Sequence, residues 1–173
     1  MRKFDIANDD YLRLLSSTEM CEMIPSLLEK HYGIQMANIW KFGVSTGLYL
    51  DIMLKIKMNS ISDEKATVTT IKARTDETHE VFLPSEALDI IYSIRMAHPN
   101  STYLFQSHRS RNIAKKISSP LTRQAVSLAF REVGKILGIS ITPRTMRQMH
   151  LVQSIDRLSP SERKLIESYV NIT

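Results

Sequence analysis

Apolar residues recur at helical spacing along most of this chain, and the period breaks at one place. At Thr67-Val68-Thr69-Thr70-Ile71 the pattern changes to β-branched residues, and after a polar turn around Thr75-Asp76-Glu77 it resumes as Val81-Phe82-Leu83. Side chains alternate across a strand but return every three to four positions on a helix, so this change of period marks a two-stranded antiparallel hairpin. The expected fold class is therefore mainly α with one small antiparallel β-hairpin or sheet.

The helices announce themselves through their ends. Met20, Ile24, Leu27 and Leu28 set an amphipathic helix over residues 18–31, with Ser17 as N-cap and Gly33 as its stop. Ile39-Trp40-Lys41-Phe42-Gly43-Val44 runs into Thr46-Gly47-Leu48, and a segment from Leu50 to Met58 turns Ile52, Met53 and Ile56 inward; these predict two short helices meeting at a glycine corner. Pro84 stops the second strand, and Ser85 caps a helix whose buried side is Leu88, Ile91, Ile94 and Met96, broken at His98-Pro99-Asn100. Residues 102–105 read as a short strand or an extended linker, and Arg109 to Pro120 as a polar surface loop. Thr122 caps a helix burying Val126, Ala129, Phe130, Val133 and Leu137, with Gly138 as its stop. Thr142-Pro143 begins another, running towards Ile155. Ser159-Pro160-Ser161-Glu162 is a capping box that opens a last short helix ending near Tyr169. With no repeat, low-complexity tract or linker, residues 1–173 are expected to form a single domain.

Charge is divided unevenly. Between Ser101 and His150 stand nine basic residues, Arg109, Arg111, Lys115, Lys116, Arg123, Arg131, Lys135, Arg144 and Arg147, against the one acid Glu132. That stretch carries +8 of a chain whose net charge is +5, so the remainder is acidic on balance. A polyanion partner, most simply nucleic acid, accounts for such a division, and a solvated basic face without a partner is the alternative. The single cysteine, Cys21, excludes an internal disulfide framework and reads as a core or helix residue. With five scattered histidines there is no metal-site spacing, so neither a metal nor a cofactor is expected. No apolar run reaches the roughly 18 residues of a membrane span, and no signal-like stretch follows Met1, so a cytoplasmic protein is expected.

Thr46-Gly47-Leu48-Tyr49, Lys72-Ala73-Arg74-Thr75 and Thr142-Pro143-Arg144-Thr145-Met146-Arg147, in that order, resemble stretches of the tyrosine recombinases, or phage-type integrases. Thr46-Gly47-Leu48-Tyr49 through Ser60-Ile61 is similar to the family segment that begins Thr-Gly-Leu-Arg. Lys72-Ala73-Arg74-Thr75 through Val81-Phe82-Leu83-Pro84 resembles its Lys-Thr-Gly hairpin and the Pro-Leu-Pro that follows. Tyr103-Leu104-Phe105-Gln106-Ser107, Leu121-Thr122-Arg123-Gln124-Ala125-Val126 and Thr142-Pro143-Arg144-Thr145-Met146-Arg147 complete the order, the last resembling the His-x-x-Arg box. The resemblance covers roughly residues 36 to 150 and implies the fold of a DNA breaking-rejoining catalytic domain without the separate N-terminal core-binding domain of many recombinases.

The chemistry of such a site sets what its residues must be. A tyrosine oxygen attacks a DNA phosphate, negative charge gathers on the equatorial oxygens, two arginines clamp those oxygens, and a lysine or histidine handles the leaving hydroxyl's proton. Against the resemblance, Tyr49 stands at the first arginine's place and donates a hydrogen bond but no charge. Arg144 stands at the histidine's place and Arg74 at the hairpin lysine's, and neither shuttles a proton near neutrality. Lys72, two residues from Arg74, is the candidate substitute for that lysine. Arg147 keeps its expected place. Tyr169 resembles the tail nucleophile, yet only 22 positions separate it from Arg147, too few for the helix the family places between them. As a helix-end aromatic packing on the core, Tyr169 has an ordinary structural reading as well.

The expectation is therefore a DNA-binding protein whose recombinase site is degenerate, a regulator or accessory factor of a bacterial or phage mobile element, associated with the nucleoid. Double-stranded DNA is the expected partner, with a homodimer or a second protein completing the clamp. The DNA-contacting residues would be Lys72, Arg74, Arg109, Arg111, Lys115, Lys116, Arg123, Arg144 and Arg147. Two alternatives stand beside it: an active recombinase using Tyr169 with Arg147, and a protein-interaction module that has lost DNA binding.

Overall fold

The computed structural model describes residues 14–15, 17–72, 75–108, 118–162 and 164. Helix α1 (Thr18–Tyr32) begins where Ser17 Oγ accepts from Met20 N–H and ends at Gly33. After one residue the chain re-enters a helix, α2 (Ile34–Thr46), which stops at the left-handed Gly47. Three of α2's neighbours, α1, α4 (Ser85–Ala97) and α6 (Pro143–Asp156), pack around it. Met36, Ala37, Ile39, Trp40, Phe42 and Gly43 are all buried, which is a broad apolar face, while Ile34 and Lys41 remain exposed on the other side. Trp40 meets Phe130 of α5 (Arg123–Leu137) edge to face at 5.3 Å, and Phe42 meets Phe105 the same way at 5.4 Å.

The sheet has three antiparallel strands in the order β1 (Ile61–Ser62), β2 (Thr67–Ile71), β3 (Thr78–Phe82). Val68 pairs with Ile61 on one side and Val81 on the other and is buried on the inner face with Thr70, while Thr69 and Glu80 face out together with the exposed Ile71 and Phe82. The expected hairpin is present, with β3 starting at Thr78. Strand β1 is an addition, two residues long and too short to show a period.

Three local expectations are corrected, the first being Ser85, which is the first residue of α4 with Pro84 at the N-cap and makes no capping hydrogen bond. The helix expected from Leu50 to Met58 is only α3 (Leu50–Met53). Beyond it Ile56 C=O accepts from Leu104 N–H at 2.9 Å and Met58 N–H donates to Thr102 C=O at 2.9 Å, so a distant segment takes the backbone groups a longer helix would use. That segment, residues 102–105, is a linker and no regular strand: it pairs at the isolated bridge of Lys57 with Tyr103 and turns at Leu104 and Phe105 before a second bridge, Gln106 to Pro120. Met96 is 68% exposed, because the core stripe of α4 runs through Ala87, Ile90, Ile91 and Ile94, and two steps past Ile94 turn the side chain away.

The later helices follow their caps. Thr122 Oγ1 accepts from Ala125 N–H at 3.2 Å to open α5, which closes at Gly138. At the start of α6, Thr142 N–H donates to Thr145 Oγ1 at 3.0 Å. Ser159 and Glu162 form the expected capping box, Ser159 N–H donating to Glu162 Oε2 at 2.8 Å. Tyr169 lies outside the described residues.

Candidate functional site

Three helix starts converge on one cleft of about 290 Å³, lined by Tyr49, Leu50, Asp51, Arg123, Pro143, Arg144 and Arg147. Tyr49 immediately precedes α3, Arg123 is the first residue of α5, and Pro143 and Arg144 are the first two of α6. The starts of α5 and α6 carry a partial positive charge, which adds to the guanidinium groups already there. Arginine at a helix start is electrostatically unfavourable unless an anion is near. Arg123 has one, since its Nη1 donates to Asp51 Oδ2 at 2.7 Å. Arg144 is exposed and makes no ion pair among the described residues. Three arginines against one aspartate leave the cleft with two positive charges.

Arg147, half-buried on α6, is held by two contacts. Its Nη1 donates to Gly47 C=O at 2.8 Å, and its guanidinium carbon stands 4.3 Å from the centroid of the Tyr49 ring. Tyr49 itself is 56% exposed. Behind them, His150 Nδ1 lies 2.8 Å from Val44 C=O, and the His150 ring fills the space beside Gly47 where a side chain would otherwise project. Two side chains of α6 thus fix the C-terminal turn of α2 and the loop that presents Tyr49. The cleft and its backing are assembled by tertiary contacts between α2 and α6.

No protein-family model matches the sequence, and no curated protein matches it. Solved structures do. The lambda integrase catalytic core superposes with a TM-score of 0.64 at 15% identity over 84% of this chain and 85% of its own. The XerA recombinase gives 0.61 at 16% identity over 80% of this chain and 48% of its own, and a lambda integrase dimer bound to a core site gives 0.64 at 14% over 83% and 53%. The chain has the fold of the tyrosine recombinase catalytic domain. It spans about half the length of the XerA recombinase and of the longer lambda integrase, and most of the catalytic core.

Within the tyrosine recombinase fold, the structure brings Tyr49, Arg123, Arg144 and Arg147 to one cleft. Lys72 is exposed just past the end of β2 and is not part of its lining. Arg74, Arg109, Arg111, Lys115, Lys116 and Tyr169 lie outside the described residues. Immediately before that basic segment, His108 stacks on His98 with ring centroids 3.7 Å apart, and burial, then the neighbouring His98, lowers its pKa from the ordinary histidine value. Among the described residues no group of three or more histidine, cysteine, aspartate or glutamate side chains is placed to hold a metal, and no helix is long and apolar enough to cross a membrane.

Two residues of the site escaped the sequence reading. Asp51 belongs to it only because Arg123, 72 positions later, reaches it, and His150 only because it packs on Gly47 and meets Val44 C=O across 106 positions. The spacing of Asp51 from Tyr49 is the one local signal, since it puts an acid in the first turn of α3.

Proposed function

We propose that this chain binds DNA through the cleft between α3, α5 and α6, that it does not support efficient strand cleavage, and that it acts as a regulator or accessory factor of a mobile element. The observation that carries the reading is Arg144, exposed at the start of α6 beside Arg147 with no counter-ion among the described residues. A permanent cation at a helix N-terminus suits a phosphate, and it serves binding without being able to donate its proton. Tyr49 next to it contributes a phenol where the recombinase pattern has an arginine. Removing one preorganised transition-state donor lowers the rate by about 10²- to 10³-fold. Phosphate contacts by the remaining arginines need no competent active site.

Partner geometry follows from the same reading. The lambda integrase structures are of a dimer on a core site and a tetramer on a Holliday junction, and a second copy of this chain on paired half-sites is the corresponding assembly. The test is an electrophoretic binding assay at two salt concentrations beside a suicide DNA substrate that traps covalent adducts. Salt-sensitive binding without an adduct is the expected result. An adduct abolished in Tyr169→Phe would overturn the degenerate reading in favour of an active recombinase. Binding insensitive to charge reversal of Arg144 and Arg147 would remove the cleft from the interface.

A further inference from the structure

Tyr49 is an aromatic ring in a cleft otherwise lined by arginines, an aspartate and two helix starts. One face of the ring is backed by Arg147, whose guanidinium carbon is 4.3 Å from the centroid. Arg147 is in turn anchored on Gly47 C=O at 2.8 Å, and Gly47 lies against His150, so the ring rests on a guanidinium that is itself held at a second point. More than half of Tyr49 nevertheless remains exposed. With one face covered, that exposure belongs to the other face and the outer edge, and Tyr49 and Arg144 line the same cleft.

An exposed aromatic face beside an exposed arginine is the pairing that single-stranded nucleic acid uses: the base stacks on the ring and the backbone lies along the cation. In an intact duplex both faces of every base are occupied by neighbouring bases, so a duplex brings phosphates to the cleft and no free base. The cleft's volume is also near the lower end of small-ligand sites, the size of a nucleotide and not of a groove spanning a double helix. Resting on the DNA-binding reading above, we propose that this cleft accepts one unstacked nucleotide of single-stranded or locally melted DNA. The base continues the stack Arg147, Tyr49, base, and the adjoining phosphate sits on Arg144 at the start of α6. The tyrosine at this position then acts as a selector of strand form.

The experiment is fluorescence anisotropy at one fixed salt concentration with three labelled DNAs of equal length: a single strand, a fully paired duplex, and that duplex with one central unpaired base. The wild-type chain is compared with Tyr49→Ala, Tyr49→Phe and Arg144→Glu, each checked for folding by circular dichroism. Tyr49→Ala is expected to weaken binding of the single strand and of the unpaired-base duplex by about 5- to 150-fold more than it weakens binding of the intact duplex, the range one stacked base supplies. Tyr49→Phe keeps the ring and is expected to keep the affinity, whereas Arg144→Glu weakens all three. If Tyr49→Ala weakens duplex and single strand equally, or if Tyr49→Phe loses as much as Tyr49→Ala, the ring is not a stacking platform and the inference is overturned while DNA binding stands. If none of the three DNAs binds, the inference falls together with the reading it rests on.

Discussion

Gly47 meets two demands at once. Its φ of +70° is left-handed, and a Cβ there would run into the His150 ring. Left-handed backbone costs a non-glycine residue about 1–2 kcal/mol before any clash is counted. Gly47→Ala should therefore lower stability by more than that figure, and in a His150→Ala background the same change should fall back to it; urea midpoints of the four proteins give the comparison. Equal losses in both backgrounds would mean that His150 yields freely. His108 supplies a second residue-scale expectation. Its folded pKa lies below the ordinary histidine value, first through burial and then through His98, so the unfolded chain binds the extra proton more readily. The stability it contributes is present above the ordinary histidine range and lost as pH falls through the lowered value. An NMR titration should find His108 titrating below a model histidine; a midpoint at or above that of the model histidine contradicts the stacked geometry. The sequence could mark Tyr49, Arg123, Arg144 and Arg147, because each sits in a short motif beside a glycine, a threonine cap or a proline. It could not mark Asp51 or His150, whose partners are reached only after the helices have packed.

At the scale of elements, the helix ends were legible because caps are local chemistry: Ser17, Thr122 and Thr142 before, Gly33, Gly47 and Gly138 after. Where tertiary pairing competes with local propensity, legibility failed. The stretch after Met53 has helical spacing, but its backbone is claimed by residues 102–104, and β1 is too short to carry a period. The element that decides the site is α2, since α6 can hold the cleft only if it lies close against it. Gly43 permits that approach: a Cβ there would meet Met146 Sδ, with Met146 Cε at 3.0 Å and Met146 Cβ at 3.2 Å. Alanine gains about 1 kcal/mol over glycine in a helix, and overpacking costs roughly 1–3 kcal/mol. The thioether end of Met146 can swing aside, but its Cβ moves only with α6. Gly43→Ala should therefore show a net loss on the order of 1 kcal/mol together with weaker DNA binding, because Arg144 and Arg147 ride on the displaced helix. A raised urea midpoint with unchanged affinity would show that the contact between α2 and α6 does not set the cleft.

For the whole molecule, the question is how much of the basic excess between residues 101 and 150 reaches a single DNA. Of its nine cations, Arg131 and Lys135 lie against Glu132, at 3.6 and 2.9 Å, on α5 and outside the cleft lining. Arg123 is neutralised by Asp51 until a phosphate competes for it. The cleft on its own therefore offers two cations outright and a third by exchange. Each phosphate neutralised on a duplex contributes about −0.9 to the slope of log K against log salt, so the cleft alone gives a slope of about −2 to −3. Arg109, Arg111, Lys115 and Lys116 lie 7 to 14 positions before the start of α5, and engagement of all four would steepen the slope to about −5 to −6. Binding isotherms of the full chain on a duplex across a salt series separate these cases. Reversal of Arg144 to glutamate should flatten the slope by about 1 in either case, because one phosphate contact is lost, and Asp51→Asn should raise affinity by releasing Arg123. The steep slope is the expected result, since a cleft with two net charges is too weak an electrostatic site to hold DNA without the cations that precede α5 in the sequence. A slope near zero would mean that the charge asymmetry of this chain serves no polyanion.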